Sequence, residues 1–163
     1  MPTKRIWTFE HCAWLAHRHQ IALRMPREHP FNPIKLLRLA LACAEAGVVP
    51  TAAISRIFQY VWVDNHLPQD VEPFAALLAE LGRTPEDIEA PAVKTALRDN
   101  GQRAIAAGVF GVPTSVVNGW NFWGFEATEM LEAFLNDDPF FSSELFAAAR
   151  TTPAGVQRIR PPR

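Results

Sequence analysis

Gly108-Val109-Phe110-Gly111-Val112-Pro113-Thr114-Ser115-Val116-Val117-Asn118-Gly119-Trp120-Asn121-Phe122-Trp123-Gly124 is the stretch on which the fold turns. Everything before it repeats its apolar residues at three- and four-residue spacing; here the period becomes two. Thr114 to Val117 is a short β-branched run. Asn118-Gly119 is the two-residue type I′ turn signal, and Trp120 to Trp123 returns as a second strand. A lone hairpin is marginal in water and has two open edges. This one is also apolar and aromatic on both faces, so it calls for a cover. Helices, a second subunit or strands outside this chain could supply it.

Working outward, the upstream chain reads as a series of helices. Lys4–His19 carries Ile6, Phe9, Ala13 and Ala16 on one stripe. Pro26 to Pro33 is a proline-punctuated connection ending in Asn32 as cap and Pro33 as first helical residue. Ile34–Ala46 is apolar except for Lys35, Arg38 and Glu45, which predicts burial around most of its circumference, and Gly47 stops it. Arg38 there must either reach solvent or answer a carboxylate. Thr51–Asp64 presents Ile54, Ile57, Phe58, Val61 and Trp62. Asp70 is placed to cap Val71–Leu81, closed by Gly82. Thr84-Pro85-Glu86-Asp87 is a further helix start, and Ala92–Ala107 follows. Downstream of the hairpin, Ala127–Leu135 and Glu144–Ala149 read as helices, and residues 150–163 as a disordered tail.

The chain has 163 residues, enough for one domain with a sizeable core. Its 16 basic and 17 acidic residues give no electrostatic reason to expect a nucleic acid or an anionic membrane. No apolar run reaches the roughly 18 residues of a membrane span, and the start has no secretory core. A cytoplasmic location is the default. Cys12 and Cys43 form no CxxC pair and read as small core hydrophobes. The histidines His11, His17, His19, His29 and His66 show no ligand spacing, so no metal is expected.

The glycine-proline segment and hairpin, with Phe122-Trp123-Gly124, resemble the 2-hydroxychromene-2-carboxylate isomerases and kappa-class glutathione transferases, relatives of the DsbA oxidoreductases. Met25-Pro26, His29-Pro30-Phe31-Asn32, Leu36-Leu37-Arg38, Tyr60, Trp62 and Asn100 extend the match to about Leu135. The resemblance implies an α+β, predominantly helical, thioredoxin-like fold of the DsbA/kappa type. It has a helical insertion and keeps the C-terminal β-hairpin and helix, but lacks the N-terminal βαβ segment. Residues 1–149 are then a partial domain, with the insertion at 4–107 and the proline loop, hairpin and helix at 108–136.

The same resemblance makes Val112–Pro113 a cis bond and implies glutathione as cofactor, held by Val112, Pro113, Trp123 and Glu126. It implies a small aromatic carboxylate as second ligand, contacted by His29, Asn32 and Trp62. Relatives carry an arginine where this chain has Ala127, and a serine nucleophile at a strand-to-helix junction that has no counterpart here. No catalytic residue is assigned, and the chain is expected to be a truncated form whose nucleophile lies upstream. Simpler readings stand beside these. Pro113 shapes a loop, Glu126 favours a helix N-terminus, Asn32 caps, Trp62 packs in the core and His29 is loop polarity. The leading function is a glutathione-dependent isomerase. The alternatives are a DsbA-like thiol-disulfide oxidoreductase relative and a non-enzymatic module pairing through the hairpin; a homodimer is open.

Overall fold

The computed structural model describes residues 2–153 and residue 155. The elements in order are α1 Pro2–Arg18, α2 Ile34–Ala42, α3 Thr51–Trp62, α4 Val71–Glu80, α5 Pro85–Glu89 and α6 Pro91–Ala106. They are followed by β1 Thr114–Val117, β2 Trp120–Trp123, a 3-10 turn Phe125–Ala127, α7 Thr128–Leu135, a second 3-10 turn Pro139–Ser142 and α8 Glu144–Thr151. The chain divides into two compact units, Met1–Gln102 and Arg103–Arg163. Among the described residues no helix is long and apolar enough to cross a membrane.

In the first unit α2 packs against α3 and α5. Leu39 of α2, Tyr60 and Val61 of α3, and Leu77 and Leu78 of α4 form the centre of its core, with Ile88 of α5 beside them. Burial of such side chains is worth about 1.5–3 kcal/mol each. Tyr60 brings a hydroxyl into this core and satisfies it by donating to the Leu67 carbonyl at 2.9 Å. Burial, with the nearby Asp70 charge, pushes its phenol up to about 12. The α5 start is a reciprocal cap: Thr84 Oγ1 accepts from the Asp87 N–H, and Asp87 Oδ2 accepts from the Thr84 N–H. Arg38 answers Glu89 at 2.7 Å, and Lys94 shares that carboxylate at 2.7 Å.

Several local expectations are displaced. α2 ends at Ala42 rather than Ala46. Glu45 and Val48 instead form an antiparallel bridge around Ala46 and Gly47, which take φ +49° and +82°. This left-handed pair is the geometry of a tight reversal and cannot continue a right-handed helix. Nor is α2 buried all round. Leu36 and Leu39 face the core, while Ile34 and Leu37 are exposed. Cys43 is buried as expected, but Cys12 is exposed on α1. Asp70 stands at the start of α4 without bonding its N–H groups. Its carboxylate instead takes the Arg27 guanidinium at 2.7 Å and the Leu67 N–H at 2.9 Å.

That use of Asp70 has a pH consequence. The Arg27 hydrogen bond, then the Leu67 amide, hold its carboxyl below the usual carboxylate range. A folded-state pKa below the unfolded value of about 3.9 gives stability that is present above that value and is lost as pH falls through the folded pKa. Acid unfolding followed by circular dichroism is expected to be less steep in Asp70→Asn below about pH 4, with the variant weaker at neutral pH. Identical acid limbs would show that the pair does not hold the fold.

In the second unit the hairpin pairs Thr114 with Trp123, Ser115 with Phe122, Val116 with Asn121 and Val117 with Trp120. Asn118 and Gly119 both have positive φ, as the turn requires. Phe122 is buried and meets Phe134 of α7 at 5.3 Å between ring centres. Phe134 in turn meets Phe141 at 5.1 Å, and Phe141 meets Phe146 of α8 at 5.2 Å. The core of this unit is therefore an aromatic cluster closed by α7 and α8. The tail expected from residue 150 onward begins inside α8, which includes Arg150 and Thr151. Ala154 and residues 156–163 lie outside the described residues.

Candidate functional site

The approach to β1 is built from Gly111, Val112 and Pro113. Thr114 Oγ1 donates to the Gly111 carbonyl at 2.7 Å and fixes the entry. The Val112–Pro113 bond is cis, as the resemblance implied. Gly124 N–H donates to the Pro113 carbonyl at 2.9 Å, continuing the hairpin ladder by one step. In an antiparallel pair, residues alternate between facing the partner and facing away. With Pro113 facing β2, the main-chain groups of Thr114 and Val116 face outward, and those of Val112 extend that row. Val112 is 87% exposed, and among the described residues its N–H and carbonyl have no main-chain partner. Unpaired main-chain groups on a strand edge are a template for another extended segment.

Two side chains flank this edge. Trp123 lies against Phe110 at 5.0 Å between ring centres, and both rings are largely exposed. A Cβ on Gly111 would overlap the Trp123 indole, so a side chain there would displace that exposed ring. Glu126 is exposed in the turn after β2 and folds back, so that a Cβ on Gly124 would lie 2.5 Å from its Oε2. Gly124 also has φ +90°, which side chains avoid. The structure thus brings Val112, Pro113, Trp123 and Glu126 together around one end of the hairpin.

His29, Asn32 and Trp62 belong to the first unit. His29 packs among Phe9 at 5.2 Å, Trp62 at 6.1 Å and Phe31 at 6.2 Å, and Arg5 donates to its carbonyl. Pro33, expected as the first helical residue, takes the cap position of α2 instead, and Asn32, two residues before the helix, accepts the Ile34 N–H on its Oδ1 at 3.0 Å. Arg5 was not legible as a neighbour of His29, because the two are 24 residues apart. The His29–Pro30 bond is also cis, which no local signal distinguished from the other X–Pro bonds. Among the described residues no group of three or more His, Cys, Asp or Glu is placed to hold a metal.

A family profile, the DSBA-like thioredoxin domain, matches residues 1–136. The chain belongs to that family. Its architecture is the predominantly helical α+β thioredoxin-like fold with a helical insertion and a small C-terminal hairpin, and the described residues include no βαβ unit before the insertion. A solved structure of a 2-hydroxychromene-2-carboxylate isomerase superposes on this DSBA-like chain with a TM-score of 0.70 at 20% identity, covering 88% of this chain and 71% of that one. At that identity the likeness is one of fold. No curated protein sequence matches. Within the family frame, Ala127 closes the 3-10 turn after β2 and offers no charge to a ligand. The serines stand in other roles. Ser115 is on β1, Ser55 is inside α3, and Ser143 Oγ accepts from the Phe146 N–H at 3.2 Å.

Proposed function

We propose that this DSBA-like chain serves a glutathione-dependent isomerisation of a 2-hydroxychromene-2-carboxylate-like compound. The observation that supports it most is the exposed Val112 main chain, unpaired beside an open strand edge. An extended tripeptide can add to such an edge as a further strand, donating to the Val112 carbonyl and accepting from its N–H. In this reading Trp123 walls the bound peptide, and the Glu126 carboxylate takes its ammonium group by a charge-assisted hydrogen bond. His29, Asn32 and Trp62 are the proposed contacts for the aromatic carboxylate. Residues 4–107 act as the insertion and 108–136 as the glutathione clamp.

The proposed reaction needs no net oxidation. The glutathione sulfur adds to the conjugated double bond of the substrate, the resulting single bond rotates, and the same sulfur leaves with its electron pair as the double bond reforms. Among the described residues none of the serines sits at a strand-to-helix junction, so no activating group for the sulfur is assigned. The test is a calorimetric titration of the chain with glutathione, paired with amide spectra. Binding should perturb the Val112 and Thr114 amides. Glu126→Gln should weaken it about tenfold, in line with the roughly 1.5 kcal/mol of a charged hydrogen bond. Saturating glutathione with no heat and no shift at those amides would end this reading.

A further inference from the structure

Two Asn-Gly pairs occur in the chain, Asn100-Gly101 and Asn118-Gly119. In such a pair the glycine has no side chain to shield its nitrogen, which can close a ring onto the asparagine side-chain carbonyl. The fold treats the two pairs differently. Asn100 and Gly101 lie inside α6, Pro91–Ala106, where each N–H is spent on the carbonyl four residues back. Asn118 and Gly119 are the whole of the hairpin turn, are exposed, and take φ +50° and +78°. Among the described residues neither the Asn118 side chain nor the Gly119 N–H has a hydrogen-bond partner. A Cβ on Gly119 would meet nothing within 4 Å. Ring closure is thus opposed by a helix at Asn100 and by little at Asn118.

We propose that Asn118 is a site of spontaneous modification, passing through a cyclic imide to aspartate and isoaspartate, and that the isoaspartate form loses the hairpin register. The Gly119 nitrogen bonds to Asn118 Cγ, the Cγ–Nδ2 bond breaks, and ammonia leaves carrying the amide proton. Water then opens the ring. Opening at the side-chain carbonyl gives aspartate; opening at the main-chain carbonyl leaves the chain running through Cγ, one methylene longer. Closure requires the turn to leave its left-handed conformation, an excursion cheaper at a two-residue tip than in the middle of a helix. The turn sets which residues face each other along the hairpin, so the added methylene disturbs the Val117–Trp120 pair first. Either product also places a carboxylate on the hollow that Asn118 lines with Asp137 and Asp138, and like charges there repel.

The test ages the full chain at neutral pH in heavy-oxygen water and reads its chymotryptic peptides by mass spectrometry, because hydrolysis of the ring adds one heavy oxygen. Asn118 is expected to convert about tenfold faster than Asn100 in the folded chain, and at a similar rate in guanidinium chloride. Equal rates in the folded chain would overturn the proposal. So would a bias toward Asn118 that persists unchanged in denaturant, which would place its cause in the local sequence rather than in the fold. The isoaspartate form, separated by chromatography, is then compared with Asn118→Asp, which has the same charge and an ordinary backbone. Amide exchange at Ser115, Val117 and Trp120 is expected to be about tenfold faster in the isoaspartate form. Equal exchange in the two would show that the longer backbone leaves the hairpin intact and would overturn the loss of register.

Discussion

Ala127→Arg is expected to tighten glutathione binding by roughly tenfold to a hundredfold. In the proposed pose the hairpin end offers the peptide a main-chain edge at Val112 and a carboxylate at Glu126. No basic residue occurs from Ala104 to Ala149, so this run itself supplies no cation for the carboxylates of a bound glutathione. A guanidinium at position 127, in the turn that follows β2, would supply charge-assisted hydrogen bonds worth about 1.5–3 kcal/mol. Against that stands the placement of a cation at the start of α7, which costs about 0.3–1 kcal/mol at an exposed helix N-terminus. The gain therefore wins. Calorimetry on the variant and the parent chain is the measurement, and unchanged affinity would mean that glutathione does not lie along this edge.

Leu39→Ala is expected to cost about 2–5 kcal/mol of stability, as for other large-to-small changes in a closed core. Leu39 has 0% exposure and sits among the residues that hold α2 to its neighbours. Leu37, two positions away, is 45% exposed, and Leu37→Ala is expected to fall within about 0.5 kcal/mol of the parent, as surface changes do. Urea titration of the pair checks both. Similar losses at the two positions would mean that the exposed face of α2 is covered in solution.

That contrast shows where the sequence was legible. The run Ile34 to Ala42 is so uniformly apolar that its composition could not separate Leu37 from Leu39; the choice belongs to packing against α3 and α5. Signals carried by one short segment read well. The Thr84–Asp87 cap was correctly placed because both partners lie within four residues, and the Asn118-Gly119 turn because its left-handed φ values demand those residue types. Asp70 was placed correctly at the head of α4 but given the wrong partner, since Arg27 lies 43 residues away. The end of α2 was misjudged because Ala44, Glu45 and Ala46 are good helix formers, whereas the chain reverses there. At the proposed site, the cis bond at Pro113 came from the family resemblance. The unpaired state of Val112 is not written in its own segment, because it depends on what the other main-chain groups around it bond to.

The segment from His19 to Pro33 contains no helix or strand, yet it is fastened at close intervals. Ile21 donates to Ala16, Arg24 to Trp62, and the Arg27 amide to Asn65, with the Arg27 side chain on Asp70. Cleavage by trypsin after Arg24 or Arg27 requires drawing this ribbon off the end of α3, which breaks several of those ties together. The nicking rate at these two arginines therefore reports how often the α3–α4 corner opens rather than how exposed the arginines are. Asp70→Asn is expected to raise that rate at neutral pH.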